Sequence, residues 1–196
     1  TASNQSTTYG TALTLGTSSF STSGLLGSDS ISSVTLTQGG NAIVPGTQNA
    51  GTYSGSSSGI LASNASGSGL ANYSITYSPG TLTIARKSIN VVANNASMTY
   101  ADLSLPTLSY QSVSGLVNGD QMTGALATVV TPYNGVAGSA SNVGTYAITQ
   151  GTVTAGSNYS ISFTAATLTV NPANLSITAQ DQRTTYGSLL VLPQSG

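Results

Sequence analysis

Asn158-Tyr-Ser-Ile-Ser-Phe-Thr-Ala-Ala-Thr-Leu-Thr-Val170 puts its large apolar side chains at Tyr159, Ile161 and Phe163, then at Leu168 and Val170. A spacing of two is the period of a strand with one covered face. The change of parity between Phe163 and Leu168 demands a bulge or a tight turn between two strands. The same pattern stands earlier in the chain, where Tyr73, Ile75 and Tyr77 lead through Ser78-Pro79-Gly80 to Leu82 and Ile84. The Pro-Gly pair there favours a turn.

Asn72-Tyr-Ser-Ile75 and Asn158-Tyr-Ser-Ile161 lie 86 residues apart, and other pairs repeat around them. Thr7-Thr-Tyr9-Gly10 returns as Met98-Thr-Tyr100-Ala101 at 91 and as Thr184-Thr-Tyr186-Gly187 after a further 86. Gly24-Leu-Leu-Gly-Ser-Asp29 returns as Gly115-Leu-Val-Asn-Gly-Asp120 at 91, and Gly51-Thr-Tyr53 as Gly144-Thr-Tyr146 at 93. Ser88-Ile-Asn-Val-Val-Ala93 corresponds to Asn174-Leu-Ser-Ile-Thr-Ala179, again at 86. A period of this size is the mark of a tandem array. The drift in offset locates the insertions. One of seven residues falls in the Ser- and Gly-rich run Ser54 to Ala71, which reads as a surface loop.

The frame gives a first copy over 1–86 that lacks most of its leading strand, a complete copy over 87–172, and the start of a third over 173–196. Within the complete copy, Ile89, Val91 and Ala93 alternate as a leading strand. Leu108, Tyr110 and Val113 suggest a second, Leu126 to Val130 a third, and Tyr146 to Ile148 a fourth. Asn118-Gly119-Asp120 reads as a turn or the start of a short helical turn. No window carries a 3.6-residue apolar period, and Gly, Ser and Thr are too frequent for long helices. The expected fold class is all-β: tandem antiparallel modules of about 86–93 residues, sandwich-like or β-grasp-like, in an elongated array. Copies meet through short connections such as Asn171-Pro172, which favour a semi-rigid rod.

Composition narrows the function. The 196 residues contain no Cys, His or Trp, and all four acidic residues are aspartate. Arg86, Lys87 and Arg183 stand against Asp29, Asp102, Asp120 and Asp181, for a net charge of −1. A nucleic-acid surface needs a basic stripe, so nucleic acid is excluded as a partner. Without cysteine there is no disulfide framework, and each module is expected to be stable from its own core. No run approaches the ~20 apolar residues of a membrane span, so no membrane insertion is expected. Residues 1–8 lack the plan of a signal peptide, and the chain reads as an internal, soluble fragment.

Ala93-Asn-Asn-Ala-Ser-Met-Thr-Tyr-Ala-Asp102, Ser114-Gly-Leu-Val-Asn-Gly-Asp120 and Asn142-Val-Gly-Thr-Tyr-Ala-Ile-Thr-Gln-Gly-Thr152 together resemble the MBG domain of YGX type, in wording and in order. The resemblance covers essentially the whole chain. It implies long tandem arrays in large bacterial surface or secreted proteins, often beside filamentous-haemagglutinin-like export domains, and hence an extracellular adhesin or biofilm-matrix stalk. The chain departs from the family pattern at Ala101, where glycine is usual, and differs between its own copies at Gly27 and Asn118. The resemblance supplies no catalytic residues.

The residues themselves offer little chemistry. Asp29 and Asp120 hold the same place in successive copies, so they do not converge on one substrate and read as turn formers. Serine without histidine lacks its usual base, and isolated aspartates do not make a calcium cage, although Asp102 and Asp181 near a module joint leave room for a weak ion. No enzyme activity and no cofactor are expected. Tyr9, Tyr100 and Tyr186 share one repeat position. They read as buried rings whose hydroxyls bond a turn carbonyl, with a sugar-stacking platform as the alternative. Asn4, Asn64, Asn72, Asn95, Asn158 and Asn174 each begin an Asn-x-Ser sequon. Expected partners are other modules of the same adhesin, host or matrix glycans, or like copies. The leading function is a stalk, and the second is a glycan-binding or self-associating module that works through avidity.

Overall fold

The parity break at Ala165 becomes the gap between two strands in the computed structural model, which describes residues 1–189. Strands in the first copy are β1 (Gln5–Thr8), β2 (Leu13–Thr14), β3 (Ser30–Gln38), β4 (Ile43–Val44), β5 (Gly51–Tyr53), β6 (Ile60–Ser68) and β7 (Leu82–Ala85). Those in the second are β8 (Lys87–Val92), β9 (Ala96–Thr99), β10 (Ala127–Thr128), β11 (Gly144–Thr149), β12 (Tyr159–Thr164) and β13 (Ala166–Asn171). Among the described residues helix is confined to α1 (Gly55–Ser58) and one 3-10 turn (Leu70–Asn72). Among the described residues no helix is long and apolar enough to cross a membrane. The chain is all-β, as its alternation requires.

The two copies repeat one pairing scheme. β1 runs parallel to β7 with Gln5 opposite Leu82, and β9 runs parallel to β13 with Ala96 opposite Leu168. β5 then joins β7 antiparallel with Gly51 opposite Ile84, as β11 joins β13 with Gly144 opposite Val170. The sheets are therefore mixed, which corrects the expectation of antiparallel modules. Parallel neighbours need a long crossover, and here most of a repeat separates β1 from β7. An asparagine closes each pair: the Thr81 N–H donates to Asn4 Oδ1 at 2.8 Å, and the Thr167 N–H to Asn95 Oδ1 at 2.9 Å. Two of the six sequon asparagines, Asn4 and Asn95, thus tie parallel strand pairs together.

The Ser/Gly insertion is not a plain surface loop. It forms α1 and then β6, which pairs antiparallel with β3 from Gln38–Ile60 to Ser30–Ser68 through register irregularities. Ile60 and Ala62 are buried, while Ser66 and Ser68 face solvent and bond across to Ser32 and Ser30. In the second copy the expected strand at Leu108 to Val113 contributes only an isolated bridge between Ala93 and Tyr110, and the one at Leu126 to Val130 shortens to β10. The expected first and fourth strands are β8 and β11.

The leading strand β8 lies parallel to β12, with Ile89 opposite Ile161 and Val91 opposite Phe163. A single residue, Arg86, separates it from β7. One apolar cluster joins Leu36, Ile60 and Leu82 of the first copy to Ile89, Ala155 and Tyr159 of the second. A smaller one, with Ile148, Leu168 and Val170, belongs to the second copy alone. The expectation that each module rests on its own core is corrected here: the larger core crosses the joint. Physically, the short Arg86 connection brings β8 against the end of the first copy, where its apolar face is covered.

Candidate functional site at the repeat joint

Val117-Asn118-Gly119-Asp120 is a tight turn closed by the Asp120 N–H on the Val117 carbonyl at 3.0 Å. Its central residues have φ of 57° and 79°, the left-handed pair of a type I′ turn, which Asn-Gly supplies at low strain. The turn presents the Asp120 carboxylate to two phenols. Tyr159, at the start of β12, donates to Oδ2 at 2.9 Å and accepts the Val117 N–H at 2.9 Å. Tyr9, just past β1, donates to the same oxygen at 2.8 Å. The two rings meet edge to face, with centroids 5.5 Å apart and planes at 81°, a geometry the ring quadrupoles favour. Tyr9 belongs to the first copy and the other groups to the second.

Half of this unit recurs one repeat earlier. Tyr73 donates to Asp29 Oδ2 at 2.8 Å and accepts the Leu26 N–H at 2.9 Å. Among the described residues no second tyrosine bonds Asp29. The carboxylates act on the phenols. For Tyr159, burial leads in pushing the hydroxyl above its usual range, the Val117 N–H opposes, and the Asp120 charge adds to the rise. For Tyr73, the Leu26 N–H favours the phenolate, but the Asp29 carboxylate, by hydrogen bond and by charge, together with desolvation, outweighs it. Both tyrosines stay neutral donors.

Further contacts flank the tyrosines. The Ala50 N–H donates to Asn158 Oδ1 at 2.9 Å, while Asn158 Nδ2 donates to Asn49 Oδ1 at 3.0 Å. Asn118 Nδ2 reaches the Gly46 carbonyl at 3.2 Å. Gly10, at φ 88°, leaves so little room that an added Cβ would lie 2.6 Å from a methyl of Val117.

Of the three tyrosines singled out by position, Tyr9 is 4% exposed, Tyr100 37% and Tyr186 fully exposed. Tyr9 bonds a carboxylate of the neighbouring copy and not a turn carbonyl. The carbonyl-bonded tyrosines are instead Tyr53 and Tyr146, whose hydroxyls donate to the Asn49 and Asn142 carbonyls at 2.8 and 2.7 Å. Sequence reasoning passed over Asn158 and Tyr159 as joint residues, reading one as a sequon and the other as strand core. Their repetition as Asn72-Tyr73 was the available signal. Asp102 holds a turn by accepting the Thr99 N–H at 2.7 Å. Among the described residues no three His, Cys, Asp or Glu side chains gather as a metal site. The joint is built to hold two repeats together by phenol–carboxylate and amide hydrogen bonds over an apolar seam. A family model described as MBG domain (YGX type) matches residues 1–83 and again 89–169. No curated protein and no solved structure gives a match.

Proposed function

Because the chain belongs to the MBG domain (YGX type) family, with two copies in tandem, we propose that it is a non-catalytic spacer of an extracellular bacterial surface or biofilm adhesin. Family membership supports reading it as an adhesin-type repeat, and the joint supports the stalk role. The observation that carries the reading is the Tyr9–Asp120–Tyr159 unit, which clamps consecutive copies where a flexible linker would leave them free. A spacer needs a fixed angle between modules more than it needs a ligand pocket. Repetition of a clamped joint converts copy number into reach.

Small-angle scattering tests this reading directly. A single scattering envelope, unchanged between low and high salt, is the expected result. A distribution of interdomain angles for the folded chain would sink it. Binding of the folded, multivalently displayed chain to a glycan array, lost on substitution of Tyr100, would place recognition above spacing.

A further inference from the structure

The leading and closing stretches of the second repeat lie side by side in one register. Each paired residue of the leading stretch faces the one 72 positions later, from Lys87–Tyr159 in β8 and β12 to Thr99–Asn171 in β9 and β13. Backbone bonds close both ends of this ladder: the Lys87 N–H donates to the Asn158 carbonyl at 2.9 Å, and the Tyr100 N–H to the Asn171 carbonyl at 2.8 Å. Between the two strand pairs the register is kept by the Ala93 N–H on the Thr164 carbonyl at 3.0 Å and by Asn95, whose Oδ1 accepts both the N–H and the hydroxyl of Thr167. Both stretches change parity there together. The buried positions pass from Val91 and Ala93 to Met98 on one, and from Tyr159 to Leu168 and Val170 on the other.

Direction decides how such a ladder meets tension. Because its strands are parallel, the chain enters the repeat at Lys87, beside Tyr159, and leaves it at Asn171, beside Thr99, at opposite ends of the ladder. A pull on the two ends therefore drags the leading and closing stretches past each other along their length. Every bond of the ladder is loaded at once, whereas a pull on both strands from the same end opens the bonds one after another. A strained hydrogen bond breaks when water takes over a partner, and here Ile89, Val91, Met98, Leu168 and Val170 bury one face of the ladder. The first repeat pairs β1 with β7 in the same way, from Gln5–Leu82 to Thr8–Ala85, with Asn4 in the place of Asn95. Only Arg86 lies between β7 and β8, so tension leaving one ladder enters the next without slack.

We propose that the repeat is a tension-bearing element, in which end-to-end force is carried in shear by the parallel ladder between its leading and closing stretches. The rest of the repeat lies in sequence between the two paired stretches and outside the load path. The inserted β6 shows the consequence: it pairs with β3 and leaves the β1–β7 ladder in place. Resistance of this kind is kinetic, set by the barrier to sliding and not by equilibrium stability. It goes beyond the spacer role and holds whether or not the repeats keep a fixed mutual angle. Repeats that resist force at freely varying angles would refute the spacer and leave the shear ladder standing.

The chain has no cysteine, so handles for single-molecule stretching can be attached to the full chain at chosen points. Arg86→Cys with Ala173→Cys pulls the second repeat along its load path. Arg86→Cys with Ser157→Cys pulls the same ladder from one end, because Ser157 stands just before Tyr159, the partner of Lys87. All three positions are exposed, and any effect of the shared Arg86→Cys cancels between the two. At equal loading rate the first geometry is expected to rupture at several times the force of the second. Asn95→Ala removes the bridge at mid-ladder. It is expected to lower the force in the first geometry and leave the second unchanged, since peeling begins at Lys87. Equal forces in the two geometries overturn the proposal. So does an Asn95→Ala chain whose rupture force falls no further in the first geometry than in the second.

Discussion

Two hydroxyls, one from each repeat, converge on a single oxygen of Asp120 at 2.8 and 2.9 Å. Tyr9→Phe removes one of them while keeping the ring packed on Tyr159. A hydrogen bond to a charged acceptor at such a site is worth about 1.5 kcal/mol, and urea unfolding of the variant should show a loss of that size. Gly10→Ala should cost more, about 2 kcal/mol, because a left-handed backbone and a methyl pressed into Val117 both oppose it. Gly16→Ala, at φ 70° with open space around it, is the comparison and should lose only the backbone part, about 1 kcal/mol. Alkali acts on the same groups. The hydroxyls of Tyr159 and Tyr73 are raised above the ordinary tyrosine value of 10.0. Their contribution to stability is therefore complete below that pH and is lost as pH climbs through the higher folded values. The part of the tyrosinate absorbance that is missing from Tyr73→Phe and Tyr159→Phe variants should rise above the ordinary tyrosine value together with loss of the β signal, and a rise of that part at the ordinary value in a still-folded chain would contradict the account.

At the scale of elements, the pair β8–β12 links the copies because Ile89 points into the core that also holds Leu82 and Ile60. Ile89→Ala should cost about 3 kcal/mol, and amide exchange should show protection falling in β7 as well as in β12. How much of this was legible beforehand differs strand by strand. The runs with large apolar residues at every second position, Ile89–Val91 and Tyr146–Ile148, announced β8 and β11. β6 escaped notice because only Ile60 and Ala62 mark its covered face and the rest is Ser, Gly and Asn. Parallel pairing was not legible at all, since side-chain alternation is the same whichever way the neighbour runs. The joint was half legible: the repeated Tyr and Asp were plain, but one sequence cannot say that Tyr9 meets the aspartate of the following copy and not of its own.

For the whole molecule, a shared core and a clamped joint couple the stabilities of neighbouring repeats, as in a one-dimensional array with strong nearest-neighbour terms. Calorimetry of the chain should show one cooperative transition, and Asp120→Ala should split or broaden it into two. Two resolved transitions in the unaltered chain would mean that the copies unfold independently. The clamp also divides its parts between repeats, the tyrosine at one end and the aspartate with its partner phenol at the other. Each repeat thus carries a complete plug and a complete socket. Duplication or loss of a whole period in the gene leaves every internal joint matched, so the length of such an array is free to drift by recombination between copies without exposing an unpaired end inside it.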